Sequence, residues 1–212
     1  MAEEMMKRLF FAMMALVLAL GVQARNPKVL ILSSSPRKGG NTELLCQEFM
    51  RGAMEAGATV ELLNLNDYRI DFFNEQDAEY GMKRQHNPEV RDDAPMIVKK
   101  MGEADIIVLS SPVYFMNITG QLKTLFDRTF ACEANRDLIG KQYYFITACT
   151  DEDESTAQCA IDGFRGFTMC VPRSKVKGEV KAVGMREIGD VKSSAFMNQA
   201  YEMGKTVSLP EE

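Results

Sequence analysis

Two loops carry residue types from which a binding site could be built. Between Ser33 and Thr42 the chain reads SSSPRKGGNT. The hydroxyls of Ser33, Ser34, Ser35 and Thr42, with Asn41, surround Gly39 and Gly40 directly ahead of a helical pattern. Glycines let a backbone fold around an anion, while hydroxyls and free N–H groups donate to its oxygens. A helix N-terminus adds positive potential. Arg37 and Lys38 supply charge. A polar turn before a capped helix is the plainer alternative. The pattern is neither G-x-x-x-x-G-K-[ST] nor G-x-G-x-x-G, which disfavours a P-loop or a dinucleotide site. The second loop, SSPVYFMNITG from Ser110 to Gly120, places Tyr114 and Phe115 where a flat ring could stack. The backbone N–H groups of Met116 and Asn117 could bond a pyrimidine edge there. Aromatic residues that merely pack beside a loop would read the same way.

Both loops need strands to aim them. Lys28–Ser33 is a short apolar run that reads as a buried parallel strand. The apolar spacing of Leu44, Leu45, Phe49, Met50 and Ala53 predicts a helix over Thr42–Glu55, capped by Asn41 or Thr42 and stopped by Gly57. Strands are expected at Thr59–Leu65, Asp105–Leu109, Gln142–Thr147 and Phe167–Val171. Helices are expected after Asp93, from Thr119 to about Phe130, over Ser155–Phe167 and over Ser194–Val207. Asn66–Ala94 is long, polar and irregular, which suggests a functional excursion. Strands alternating with helices indicate an α/β fold with a doubly wound parallel sheet and helices on both faces. With five strands in the order 2-1-3-4-5, ligands bind where strands one and three diverge, and both loops lie there.

As a pair, the loops resemble a known family. SSSPRKGGNT is similar to the G-S-P-R-x-x-G-N-T phosphate loop of the NAD(P)H-dependent FMN reductases and iron–sulfur flavoproteins. ADIIVLSSPVYFMNITGQLKTLFDR resembles their second signature, P-V-Y-F followed by G-Q-L-K…DR. The likeness continues to the closing Ala200–Lys205. It implies a flavodoxin-like fold over residues 25–212 with FMN as cofactor. By resemblance, Ser33, Ser35, Arg37, Asn41 and Thr42 bind the phosphate side. Pro112, Val113, Tyr114, Phe115, Met116 and Asn117 border the isoalloxazine. Thr147 to Thr150 form a third flavin loop. The implied activity passes electrons from NAD(P)H through the flavin to a quinone, a free flavin or another small acceptor, with no side chain needed as general acid or base. A flavodoxin-like electron carrier without reductase activity, and a degenerate member that binds no flavin, remain alternatives. Relatives are often dimers or tetramers, which implies a homodimer or homotetramer. Three departures stand out: Ser34 replaces the family's glycine, Asn66–Ala94 lacks the cysteine cluster of the iron–sulfur branch, and the third loop, TACTDED, is acidic and glycine-free.

The remaining features bound the setting. The net charge is −5, without the basic footprint of a nucleic-acid binder. Lys7 and Arg8 precede the apolar stretch Leu9–Val22, and Val22-Gln23-Ala24 fits a peptidase cut after Ala24. That is the layout of a signal peptide over residues 1–24. The stretch falls short of the roughly 20 residues a membrane span needs. The expectation is an exported, periplasmic protein without stable membrane insertion once the leader is removed, or a cytoplasmic one if the leader is silent. No C-x-x-C occurs among the five cysteines, and the single histidine, His86, sits in the polar excursion. Neither a metal site nor a histidine-based triad is expected.

Overall fold

The computed structural model of the protein describes Glu4 and residues 25–83, 88–131 and 136–210. The expected leader (except Glu4), His86 and Cys132 lie outside the described residues. Five strands, β1 (Lys28–Ser33), β2 (Thr59–Asn64), β3 (Ile106–Pro112), β4 (Gln142–Ala148) and β5 (Lys175–Ala182), form one sheet. Its order is β2-β1-β3-β4-β5, and every pairing is parallel. Six helices of the described residues cover it: α1 (Asn41–Glu55), α2 (Glu75–Met82), α3 (Ala94–Glu103), α4 (Gly120–Ala131), α5 (Glu154–Met169) and α6 (Ala195–Lys205).

Alternation along the central strands sorts the core into two layers. Leu30, Leu32, Ile107, Leu109, Tyr143 and Phe145 face α3, α4 and α5, meeting Ile97, Met101, Leu122, Leu125 and Phe164. Val29, Ile31, Ile106, Val108, Tyr144 and Ile146 face α1 and α6, meeting Leu45, Phe49 and Ala200. Central strands covered on both faces must be apolar throughout, which is why KVLILS and IIVL carry no alternating polar residues. The chain turns one way from β1 to β2 over α1. It then returns past β1 to β3 over α3 on the opposite face, so the topological switch lies between β1 and β3.

Two contacts hold the frame together. Helices α1 and α6 cross at backbone distance: a Cβ at Gly52 would lie 2.1 Å from the Tyr201 carbonyl oxygen, and one at Gly204 2.1 Å from that of Phe49. The excursion after β2 is more ordered than its composition suggests. Its helix α2 starts at a capping box in which Asn74 Oδ1 accepts from Asp77 N at 2.9 Å and Asp77 Oδ2 accepts from Asn74 N at 3.3 Å. Arg128 of α4, only 2% exposed, pairs with Asp92 at 2.5 Å and Asp77 at 3.5 Å. It also donates to the Asp71 carbonyl at 2.8 Å. One buried guanidinium thus fastens three points of the excursion to the domain.

The fifth strand differs from the sequence expectation. Residues 167–169 finish α5, where Phe167 stacks on Phe126 at 4.1 Å, and β5 follows at Lys175–Ala182. Here the edge position overrides composition. Val176, Gly178, Val180 and Ala182 alternate with Lys175, Lys177, Glu179 and Lys181, a charged pattern that a sheet edge tolerates. At the start of α1, Gly40 is the N-cap residue and no side chain caps it, so Asn41 and Thr42 lie within the first turn.

Candidate functional site

The phosphate-type loop follows directly from β1. Ser34 ties it to β3, donating from Oγ to the Ser110 carbonyl at 2.8 Å and from N at 3.0 Å. The chain then turns through Gly39 at φ +66°, whose N–H donates to Glu43 Oε2 at 2.9 Å, and Gly40 N donates to the Arg37 carbonyl at 2.9 Å. A Cβ at Gly40 would sit 2.8 Å from that carbonyl and 3.0 Å from Ser35 Oγ, so only glycine closes the turn. The first-turn N–H groups of Asn41 and Thr42 have no intrahelical acceptor. Thr42 is 1% exposed and its Oγ1, bordering the groove, has no partner. A buried hydroxyl is normally bonded. An unpaired one beside free N–H groups at a helix start has the donor set of an oxyanion site.

A groove runs from this loop across the carboxyl ends of β3 and β4. It is lined by Ser35, Arg37, Gly40, Asn41 and Thr42 on one side and by Pro112, Val113 and Tyr114 on the other. Ala148, Cys149, Thr150 and Met185 close it. Val113 N donates to the Ala148 carbonyl at 3.0 Å, which fixes the second loop against the third. Tyr114 and Asn117 exchange backbone hydrogen bonds at 2.9 and 3.1 Å around a tight turn. Its two central residues, Phe115 and Met116, have φ of +48° and +58°. Such a turn favours Asn or Gly, and Phe115 stands fully exposed at its tip. Asn117 therefore spends its N–H on the turn, and its Oδ1 accepts from Ile118 N at 2.8 Å.

The expected site residues fall into three groups. Ser35, Arg37, Asn41, Thr42, Pro112, Val113, Tyr114 and Thr150 border the groove. Phe115, Met116 and Asn117 form the turn beside it. Ser33 and Thr147 are buried behind it, and Thr147 Oγ1 donates to the Ser111 carbonyl at 2.8 Å across the sheet. Sequence reasoning missed Met185; Gly40 lies in the expected phosphate loop, and Ala148 and Cys149 in the expected third loop. Two acids of the third loop are bonded to α5. Asp153 caps α5, accepting from Ser155 N at 2.8 Å, and Asp151 accepts from Thr156 Oγ1 at 3.1 Å. Burial, with Asp151 nearby, pushes the Cys149 thiol up, so it stays protonated at neutral pH.

A doubly wound sheet of this strand order, with an oxyanion cradle and an apolar wall at its switch point, defines a flavodoxin-like mononucleotide-binding protein. The chain belongs to the NADPH-dependent FMN reductase family, whose model matches residues 27–177. That membership gives FMN as the cofactor, and the donor set around Thr42 fits its phosphate. An iron–sulfur flavoprotein of Methanocaldococcus jannaschii is 40% identical over 102 residues, 48% of this chain and 51% of that protein. The chain spans about half the length of the curated relatives it matches. Among solved structures, an NAD(P)H:quinone oxidoreductase from Methanothermobacter marburgensis superposes with a TM-score of 0.69 at 18% identity, covering 85% of this chain and 96% of that one. An azoreductase from Bacillus anthracis gives 0.67 at 17% identity, covering 85% and 100%. These two similarities establish the fold.

Proposed function

We propose that the chain is an NAD(P)H-dependent oxidoreductase that passes electrons through FMN to a small acceptor such as a quinone or a free flavin. The observation that carries this reading is the buried, unpartnered hydroxyl of Thr42, a residue that lines the groove at the start of α1. Bound FMN supplies acceptance of a hydride and delivery of electrons to a second substrate. The chain's own residues bind and orient. Ser35, Thr42 and the first-turn N–H groups of α1 would hold the phosphate, with Arg37 as counter-charge. Pro112, Val113 and Tyr114 would border the ring, with Cys149, Thr150 and Met185 opposite. Among the described residues, no histidine or carboxylate lines the groove, and the proposed hydride chemistry asks for none. The exposed Phe115 and Met116 support a homodimer or homotetramer. The leader-like residues 1–24 support export to the periplasm.

Steady-state assay of the FMN-loaded chain tests this reading. NADPH or NADH should be consumed only when a quinone or flavin acceptor is present, with the parallel double-reciprocal lines of a ping-pong cycle. A chain that holds FMN yet consumes neither nicotinamide under any acceptor is an electron carrier, and the reductase reading is then wrong.

A further inference from the structure

The groove has a fourth wall that no local motif announces. It is the loop of residues 183–191 after β5, and it is bonded to both neighbouring loops. Gly184 N donates to the Asp151 carbonyl at 2.7 Å, and Met185 N to the Cys149 carbonyl at 2.8 Å. Asp190 Oδ2 accepts from Arg186 N at 2.9 Å and Glu187 N at 2.6 Å, and Gly189 turns the chain at φ +91°. On the phosphate side, Arg37 Nη1 donates to the Arg186 carbonyl at 3.1 Å.

Asn41 makes the main connection. Its Nδ2 donates to the Glu187 carbonyl at 2.9 Å, and its Oδ1 accepts from Gly189 N at 3.1 Å and Val191 N at 3.3 Å. The side chain is 8% exposed and both ends of its amide are in use. Three bonds to one loop thus fix the orientation of the amide, whose Nδ2 carries one further hydrogen, and the backbone N–H in the first turn of α1 has no intrahelical acceptor.

We propose that Asn41 is a positioning residue: its side chain clamps the 183–191 loop onto the start of α1, holding Met185 as the wall of the flavin groove, and does not itself ligate the phosphate. The two loops then behave as one body, set by a residue about 150 positions away in sequence from part of what it holds. This rests on the FMN reading of the groove, but the clamp can be measured without flavin.

The test compares the full chain with Asn41→Ala and Asn41→Asp, using amide hydrogen exchange without ligand and titration with FMN and with riboflavin, which lacks the phosphate. Asn41→Ala should speed exchange at Gly189 and Val191 by at least about tenfold, equivalent to about 1.4 kcal/mol of local opening. It should weaken FMN and riboflavin by the same factor, because a wall is lost rather than a phosphate contact. Asn41→Asp keeps the acceptor for both N–H groups but loses the donor to the Glu187 carbonyl, so exchange should speed up, and riboflavin affinity fall, by less than in Asn41→Ala. It is also the variant to read if Asn41→Ala does not fold. Loss of FMN but not riboflavin affinity with unchanged exchange would make Asn41 a phosphate ligand and overturn the proposal. So would faster exchange with both affinities intact. If the parent chain binds neither flavin, the functional reading fails, while exchange at Gly189 and Val191 still decides whether the clamp exists.

Discussion

Replacing Thr42 by valine keeps the side chain's shape and removes only its hydroxyl. Two consequences of opposite sign follow. Without ligand, Oγ1 is buried and unpartnered. Leaving a polar group in that state costs about 1–3 kcal/mol, so Thr42→Val should leave the unliganded fold as stable as before or more so. With FMN, the same hydroxyl becomes a donor to a charged oxygen, a bond worth roughly 1.5–3 kcal/mol. At about 1.4 kcal/mol per tenfold, Thr42→Val and Thr42→Ala should weaken FMN by about 10- to 100-fold. Riboflavin binding should barely change. Flavin fluorescence titration gives both affinities, and thermal melting of the unliganded protein gives the stability. Equal weakening of both ligands, or a marked loss of unliganded stability in the valine variant, would show that Thr42 acts through the fold.

Other consequences are separate from the ligand. Gly52→Ala brings a methyl group within 2.1 Å of the Tyr201 carbonyl, and such overpacking costs about 1–3 kcal/mol. Thermal melting should show a Tm lowered by about 2–4 °C per kcal/mol; an unchanged Tm would mean that α1 and α6 are not in contact there. At Asp92, burial raises the carboxyl, but hydrogen bonds from Arg128, Asp71 N and Ala94 N outweigh it and hold the group below its ordinary 3.8. Its contribution to stability is therefore present above that value and is lost as pH falls through the lowered folded-state value. Asp92→Asn should cost about 1–3 kcal/mol near neutrality and flatten the acid limb of stability against pH, as read by urea unfolding. For export, N-terminal sequencing of protein from the native host should give Arg25 as the first residue; a soluble protein beginning at Met1 would remove that proposal.

What the sequence made legible was what is local. KVLILS is a strand from its first residue to its last, because a central parallel strand covered on both faces has no reason to alternate. Ser35, Arg37 and Thr42 were expected at one groove because such a loop is contiguous, and Pro112, Val113 and Tyr114 because they follow one strand; the fold does bring them to one groove. Relations between distant segments stayed hidden. Asn41 reads as a cap or phosphate ligand in any local window, yet its amide is bonded on both sides to residues 187–191. Met185 lies in a loop with no pattern of its own. Arg128 is an ordinary helix residue until Asp77 and Asp92 close on it. β5 was missed because its alternation is written in lysines and a glutamate, which only an edge strand can carry. Phe167 belongs to a helix because its ring has Phe126 to stack on.

Titration of the purified chain with FMN shows whether the cofactor occupies the groove between the β1 and β3 loops. Binding should saturate at one FMN per chain, with a shifted visible absorption band, and riboflavin should bind more weakly because the Ser35–Thr42 cradle then holds nothing. A chain that binds no FMN, or binds riboflavin just as tightly, would contradict that placement.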